Sequence, residues 1–116
     1  MNIGIDIDDV ITDHPDHYKI LMEEWIISGF QVYLITGNKN GDMPRAARVK
    51  QLKILGFTPN YYTELCIASA TSDNLIAHRK SIIAYQKKLD VFIDNDDHNC
   101  SEVRRRLPNC LVLKDM

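Results

Sequence analysis

Residues 3–12 read IGIDIDDVIT. Ile3, Ile5 and Ile7, with Gly4 between, read as a short buried strand, and Asp6, Asp8 and Asp9 crowd its end. A chain leaving a hydrophobic core ordinarily does so through a turn with one polar residue. This much like charge in one place asks for a physical reason, and the rest of the sequence supplies its setting.

Downstream of that stretch, strand and helix patterns alternate. Asp13 and Pro15 mark a helix start, Tyr18, Leu21, Met22, Trp25 and Ile26 recur at helical spacing, and Gly29 suits the stop. FQVYLIT is a second apolar strand ending at Thr36, and GNKNGDMP a loop with Pro44 placed for a first helical turn. Ala47, Leu52 and Leu55 give the next helix its apolar side, and Gly56 ends it. YYTELCIAS reads as a third strand, Ser72 to Lys88 as largely helical, DVFID as a fourth strand, Asp97 to Leu107 as a last helix stopped by Pro108, and CLVL as a fifth strand. Apolar strands joined by helices imply an α/β fold: a Rossmann-like three-layer sandwich around a mainly parallel five-stranded sheet, with right-handed crossovers. The connections are too short for a cap domain. Val10 to Val32 holds one helix, and Gly37 to Lys80 a helix, a strand and a loop.

Length and composition fit a single domain over residues 1–116, large enough for a core. A formal net charge of -2 gives the chain as a whole no nucleic-acid footprint, leaving room for local basic patches. Cys66, Cys100 and Cys110 are odd in number and form no CxxC pair, which suits reduced buried thiols in a cytoplasmic protein. Acids interrupt the N-terminal apolar stretch too early for a signal peptide, and no apolar run is long enough to cross a membrane.

In an open parallel sheet the site lies beyond the carboxyl ends of the strands. The first strand ends at Asp6 and Asp8, the second at Thr36, and the fourth at Asp94, followed by Asn95, Asp96 and Asp97. If the first and fourth strands are neighbours, Asp6, Asp8 and Asp94 converge. Two carboxylates about 4 Å apart repel by about 4 kcal/mol at an effective dielectric near 20. Protonation or a bound cation relieves this, and oxygen ligands with little His or Cys nearby favour Mg²⁺ over zinc. The crowded charge is tolerable if a divalent ion and a phosphate are the usual occupants. Asp6 and Asp8, two apart, leave a strand on the same side, so one can attack an electrophile while the other handles a proton.

These residues resemble the haloacid dehalogenase-like phosphohydrolases. DIDDV, Asp6 to Val10, matches their DxDx(T/V) signature. Thr36 in VYLITGN is similar to their second motif, Lys80 in HRKSIIAY is the best candidate for their lysine, and VFIDND, Val91 to Asp96, resembles their acidic fourth motif. The likeness covers nearly the whole chain in the right order. It implies an Mg²⁺-dependent phosphomonoesterase with Asp6 as nucleophile and Asp8 as the acid and then the base. It also implies phosphoryl binding at Thr36, with Gly37 and Asn38 of the following loop, charge neutralisation by Lys80, and Mg²⁺ held by Asp6, Asp94 and the backbone carbonyl of Asp8. The family often places a second acid directly after the first in its fourth motif. Here that position is Asn95, and either Asp96 or Asp97 is left to serve. The resemblance also implies a turn and a hairpin flap after the first strand, for which little flap can exist here. Its lysine belongs near a helix start, so a break is expected near His78; without one, Lys87 and Lys88 are poor substitutes.

An uncapped site is open to small phosphate esters and to macromolecular phosphates, or is shielded by a second copy in a homo-oligomer. A nucleotide is slightly favoured, because the fourth-motif region is similar to that of nucleotidase-like members. Asn95 and the clipped flap also suit a non-catalytic module that binds metal and phosphate. A receiver-type phosphoacceptor switch carries its acceptor Asp on the third strand, and none stands at the end of YYTELCIAS. His14 and His17 share a helix face without a third ligand, and the acids beside His98 suit a helix start. Arg45 and Arg48 read chiefly as a solvated face, with a grip on a distal phosphate as the alternative.

Overall fold

The computed structural model of the chain describes residues 1–115. Five strands, β1 (Asn2–Ile5), β2 (Gln31–Lys39), β3 (Glu64–Ala70), β4 (Val91–Asp94) and β5 (Leu111–Lys114), alternate with four helices, α1 (Pro15–Ile27), α2 (Arg45–Ile54), α3 (Asp73–Gln86) and α4 (Asp97–Arg106). A π-helical turn, Ile7–Ile11, separates β1 from α1, and a 3-10 turn, Pro59–Tyr61, precedes β3. The strands form one sheet in the order β3-β2-β1-β4-β5, every pair parallel.

Strand alternation sorts the core into two layers. Ile5, Val32, Leu34, Leu65 and Ile93 pack with Met22 of α1, Leu52 of α2 and the buried Phe57. Ile35, Cys66, Phe92 and Val112 pack on the other side with Ala84 of α3 and Cys100 and Val103 of α4. This is the three-layer α/β sandwich that alternating apolar strands and helices imply. No helix among the described residues is long and apolar enough to cross a membrane.

Successive strands step outward from β1 to β2 to β3, and then the chain returns to lay β4 on the other side of β1. The crevice at such a reversal lies beyond β1 and β4.

Several boundaries differ from the sequence reading. β1 ends at Ile5, and Ile7 begins the π-helical turn, in which Asp9 takes a positive φ of 61°. β2 runs on to Lys39 through Gly37 and Asn38, read from sequence as loop. β3 offers a partner to each, Gly37 to Ala68, Asn38 to Ser69 and Lys39 to Ala70, so ladder bonds compensate poor strand formers. β3 begins at Glu64, after the 3-10 turn has taken up Tyr61. No break occurs near His78: α3 is continuous from Asp73 to Gln86, with the Ser72 hydroxyl accepting the amide of Leu75 as its cap.

Candidate functional site

Asp6 is the first residue past β1. Its amide donates to the carbonyl of Ile93 at 3.0 Å, extending the ladder by one bond, and this sets Asp6 beside Asp94 at the end of β4. Both carboxyl groups are buried, with side-chain exposures of 9% and 0%. The ammonium of Lys80 lies between them, with Nζ 3.1 Å from Oδ1 of Asp6 and 2.9 Å from Oδ2 of Asp94. Lys80 reaches this point from the middle of α3 and is itself 2% exposed. Its long stem spans the distance that a break in the helix was expected to close.

Asp94 is held from all sides. Its Oδ2 also accepts from Asn99 Nδ2 at 3.1 Å, and its Oδ1 accepts the amide of Asp96 at 3.0 Å. Asp6 Oδ1 accepts the amide of Ile7 at 2.8 Å, while its Oδ2 takes no hydrogen bond among the described residues. Burial pushes the Asp6 carboxyl up to about 7; Lys80 opposes the rise and Asp94 adds to it. Burial works against the charge on Lys80, but Asp6 and Asp94 outweigh it and the net shift is upward. Two ionised carboxylates facing one ammonium carry a net formal negative charge among buried side chains.

Asp8 is placed differently from the sequence expectation. The strand has ended, so its alternation no longer aims the side chain, and the carboxylate of Asp8 is half-exposed rather than buried with those of Asp6 and Asp94. Arg48 grips it with two parallel bonds of 2.8 Å, Nη1 to Oδ1 and Nη2 to Oδ2. Those bonds hold the Asp8 carboxyl below the usual carboxylate range. Arg48 is therefore no solvated face: it is 3% exposed, and it also donates to the carbonyl of Gly37 at 3.0 Å and to Gln51 Oε1 at 3.1 Å. Arg45 is exposed and ties α2 to β3 through the carbonyl of Leu65 at 2.7 Å.

Thr36 is fully buried, and its hydroxyl has no partner among the described residues. It lies two positions past Leu34, which pairs with Ile5, and so at the same end of the sheet as Asp6. A buried hydroxyl left unpaired is costly and suits an absent acceptor. Asn38 closes its own turn instead, with Oδ1 accepting the amide of Met43 at 2.8 Å and Nδ2 facing Ser69 Oγ at 3.4 Å.

Asp96 caps α4, its Oδ1 accepting the amide of Asn99 at 2.9 Å, and the exposed Asp97 pairs with Lys114. His14 lies 4.0 Å from Asp115, and His17 packs edge-on against Tyr18. Cys66 and Cys100 are buried free thiols, whereas Cys110 is only half-buried. Asn99 escaped the sequence reading of function, since nothing in the pattern around it marks it, and Arg48, read chiefly as a solvated face with a phosphate grip as the alternative, instead pairs with Asp8.

Among the described residues no three His, Cys, Asp or Glu side chains gather as a metal-holding group; the carboxyl groups that meet are those of Asp6 and Asp94, with the Lys80 ammonium between them and Asp6 Oδ2 uncommitted. No protein-family profile matches the chain, and no curated protein matches its sequence.

Proposed function

We propose that the chain is an Mg²⁺-dependent phosphomonoester hydrolase that works through an aspartyl-phosphate on Asp6. The observation that carries this reading is the Asp6–Lys80–Asp94 constellation: three residues far apart in sequence, brought within hydrogen-bond distance at the reversal point of a parallel sheet. The one wound turn at Ile7–Ile11 directly after β1 also supports the likeness to haloacid dehalogenase-like phosphohydrolases.

Asp6 attacks phosphorus through its uncommitted Oδ2, forming the P–O bond as the bond to the leaving oxygen breaks. Asp8 acts once one of its oxygens parts from Arg48 and takes up a proton: it gives that proton to the leaving oxygen and then takes one from the water that hydrolyses the acyl phosphate. Thr36 donates its unpaired hydroxyl to a phosphoryl oxygen, with the backbone at Gly37 alongside, and Lys80 balances the negative charge that Asp6 and the phosphoryl group bring together. Asp6, Asp94 and the carbonyl of Asp8 would hold Mg²⁺, which would supply the remaining electrostatic stabilisation of the transferring group. Asp96 and Asp97 are engaged in capping and in a surface pair, so Asn95 leaves the fourth-motif acid to Asp94 alone. The substrate class is an accessible phosphate ester, a nucleotide or another small ester first and a polynucleotide end second, because the connections between strands carry no cap.

The test is phosphate release from a panel of esters with Mg²⁺, run in parallel on Asp6→Asn. Release by the native chain that falls by about a thousandfold or more in the variant is the expected result, and equal rates reject the mechanism. A second reading, a module that binds metal and phosphate without turnover, draws support from the Asp8 carboxylate having both oxygens occupied by Arg48. Mg²⁺-dependent phosphate binding with no release from any ester selects that reading.

A further inference from the structure

We propose that the groove along α2 receives the alcohol part of the substrate, and that this alcohol carries an uncharged apolar body; this rests on the hydrolase reading above. The groove has a volume of about 350 Å³, enough for a small ligand. Met43, Ala47, Ile54 and Leu55 form its apolar surface, and Lys50 is the one charged residue on it. Helix geometry makes the stripe. Ala47, Gln51 and Leu55 stand four apart and so share one line along α2 and its cap. Arg48 and Leu52, one position further round, are the buried residues that hold the helix to the sheet. Ile54, 77% exposed, would be ordinary alone, but beside Leu55 and Ala47 it extends a continuous apolar surface.

Three hydrogen bonds join the groove to the site. Thr12, one of its walls, ends the turn that Asp6 begins, its amide closing on the carbonyl of Ile7 at 3.1 Å. The amide of Met43 donates to Asn38 Oδ1 at 2.8 Å, two residues past Thr36. Gln51 Oε1 accepts from Arg48 at 3.1 Å, and Arg48 donates in turn to the carbonyl of Gly37 at 3.0 Å. The walls therefore come from the segments that follow β1 and β2, the same two that carry Asp6 and Thr36. An ester with its phosphorus at Asp6 can lay its alcohol along α2. The hollows lined by Arg106 and Cys110, and by Gly56 and Tyr61, lie before β5 and β3, at the starts of the strands. The hollow between α1 and β5 presents the Asp115 carboxylate, one oxygen of which is buried without a partner among the described residues, and so suits a polar guest. Along α2 a cationic alcohol would meet Lys50, and a polyanionic one would leave the apolar wall unused.

The experiment measures Mg²⁺-dependent kcat/KM for ethyl, butyl, hexyl and octyl phosphate, below the concentrations at which they form micelles. It uses the native chain, Ala47→Glu and Ile54→Glu, with Asp6→Asn on ethyl phosphate as the separate test of the hydrolase reading. Full burial of a methylene is worth about fourfold, and a groove open on one side about half of that in free energy, or about twofold per methylene. The native chain is expected to gain about sixtyfold from ethyl to octyl phosphate on that count. Ala47→Glu sets a carboxylate in the middle of the stripe and is expected to bring the octyl-to-ethyl ratio to about threefold or less. Ile54→Glu is expected to show a smaller loss, concentrated in the hexyl and octyl esters.

A native chain that turns over ethyl and octyl phosphate equally, or a gain with length that survives in both variants, overturns the inference and leaves the hydrolase reading intact. A native chain that releases no phosphate from any ester overturns both. Should Ala47→Glu fail to fold, the exposed position of Ile54 keeps its variant clear of the core, and the loss on the longer esters is required of it.

Discussion

Lys80 shows how much one side chain can decide. Its ammonium compensates two buried carboxylates that approach from different strands. Replacing it by Met keeps the stem and removes the charge, leaving Asp6 and Asp94 to repel without a counter-ion. Lys80→Met is therefore expected to cost about 3–5 kcal/mol in urea unfolding of the metal-free protein, with an unchanged dependence on denaturant concentration. A loss below about 1 kcal/mol would mean that Lys80 does not hold the two carboxylates. Asp6 and Asp94 could be paired from sequence because each closes an apolar strand, and strand ends in a parallel sheet share one edge. Lys80 could be nominated but not placed, since a lysine in mid-helix ordinarily faces water, and only the reach of its stem brings it in. Arg48 was misread on the same ground: residue type predicts exposure, and the structure buries it because Asp8, Gly37 and Gln51 all accept from it. Asn99 carried no signal, because a polar residue in a helix's first turn is unremarkable until an acid lies opposite.

At the level of elements, α4 links local structure to the site. Asp96 caps the helix, and the amide it accepts belongs to Asn99, whose side chain holds Asp94. Asp96→Ala is expected to cost about 1 kcal/mol, whereas Asp96→Asn, also a good cap, costs only a few tenths. Thermal unfolding of both variants measures the difference, and a similar loss in each would point to a role for the acid's charge instead. The number, order and type of the elements were legible from apolar runs and helical spacing; their ends were less so. β2 outran its apolar run by three residues because β3 supplied partners for Gly37, Asn38 and Lys39, a non-local influence that a window of sequence does not contain. The expected break in α3 was inferred from where a family lysine belongs. No proline or glycine in the segment could have made one, and none formed.

The molecule as a whole keeps its thiols protonated. Burial is the main cause that pushes Cys66, Cys100 and Cys110 from an ordinary value of 9.0 up to about 11, and burial with Asp115 moves Tyr18 upward as well. Unfolding releases these groups to ionise at their ordinary values. The unfolded state therefore sheds protons first, and the associated stability, intact below pH 9, is lost as the pH rises toward 11. Melting temperatures under reducing conditions should fall steadily from pH 8 to 11, and a flat profile would contradict the burial of these thiols. The same packing brings β1 and β4 together so that Asp6 meets Asp94, and the proposed chemistry depends on that meeting. Its most direct measurement uses a radiolabelled phosphate ester with Mg²⁺, quenched in acid, on the Asp8→Asn variant, in which hydrolysis of the intermediate is slowed. The account predicts label bound covalently to the peptide carrying Asp6, released by hydroxylamine and absent when Asp6 is also replaced by Asn. Native turnover of the ester that persists undiminished in Asp6→Asn, with no label on that peptide, would contradict it.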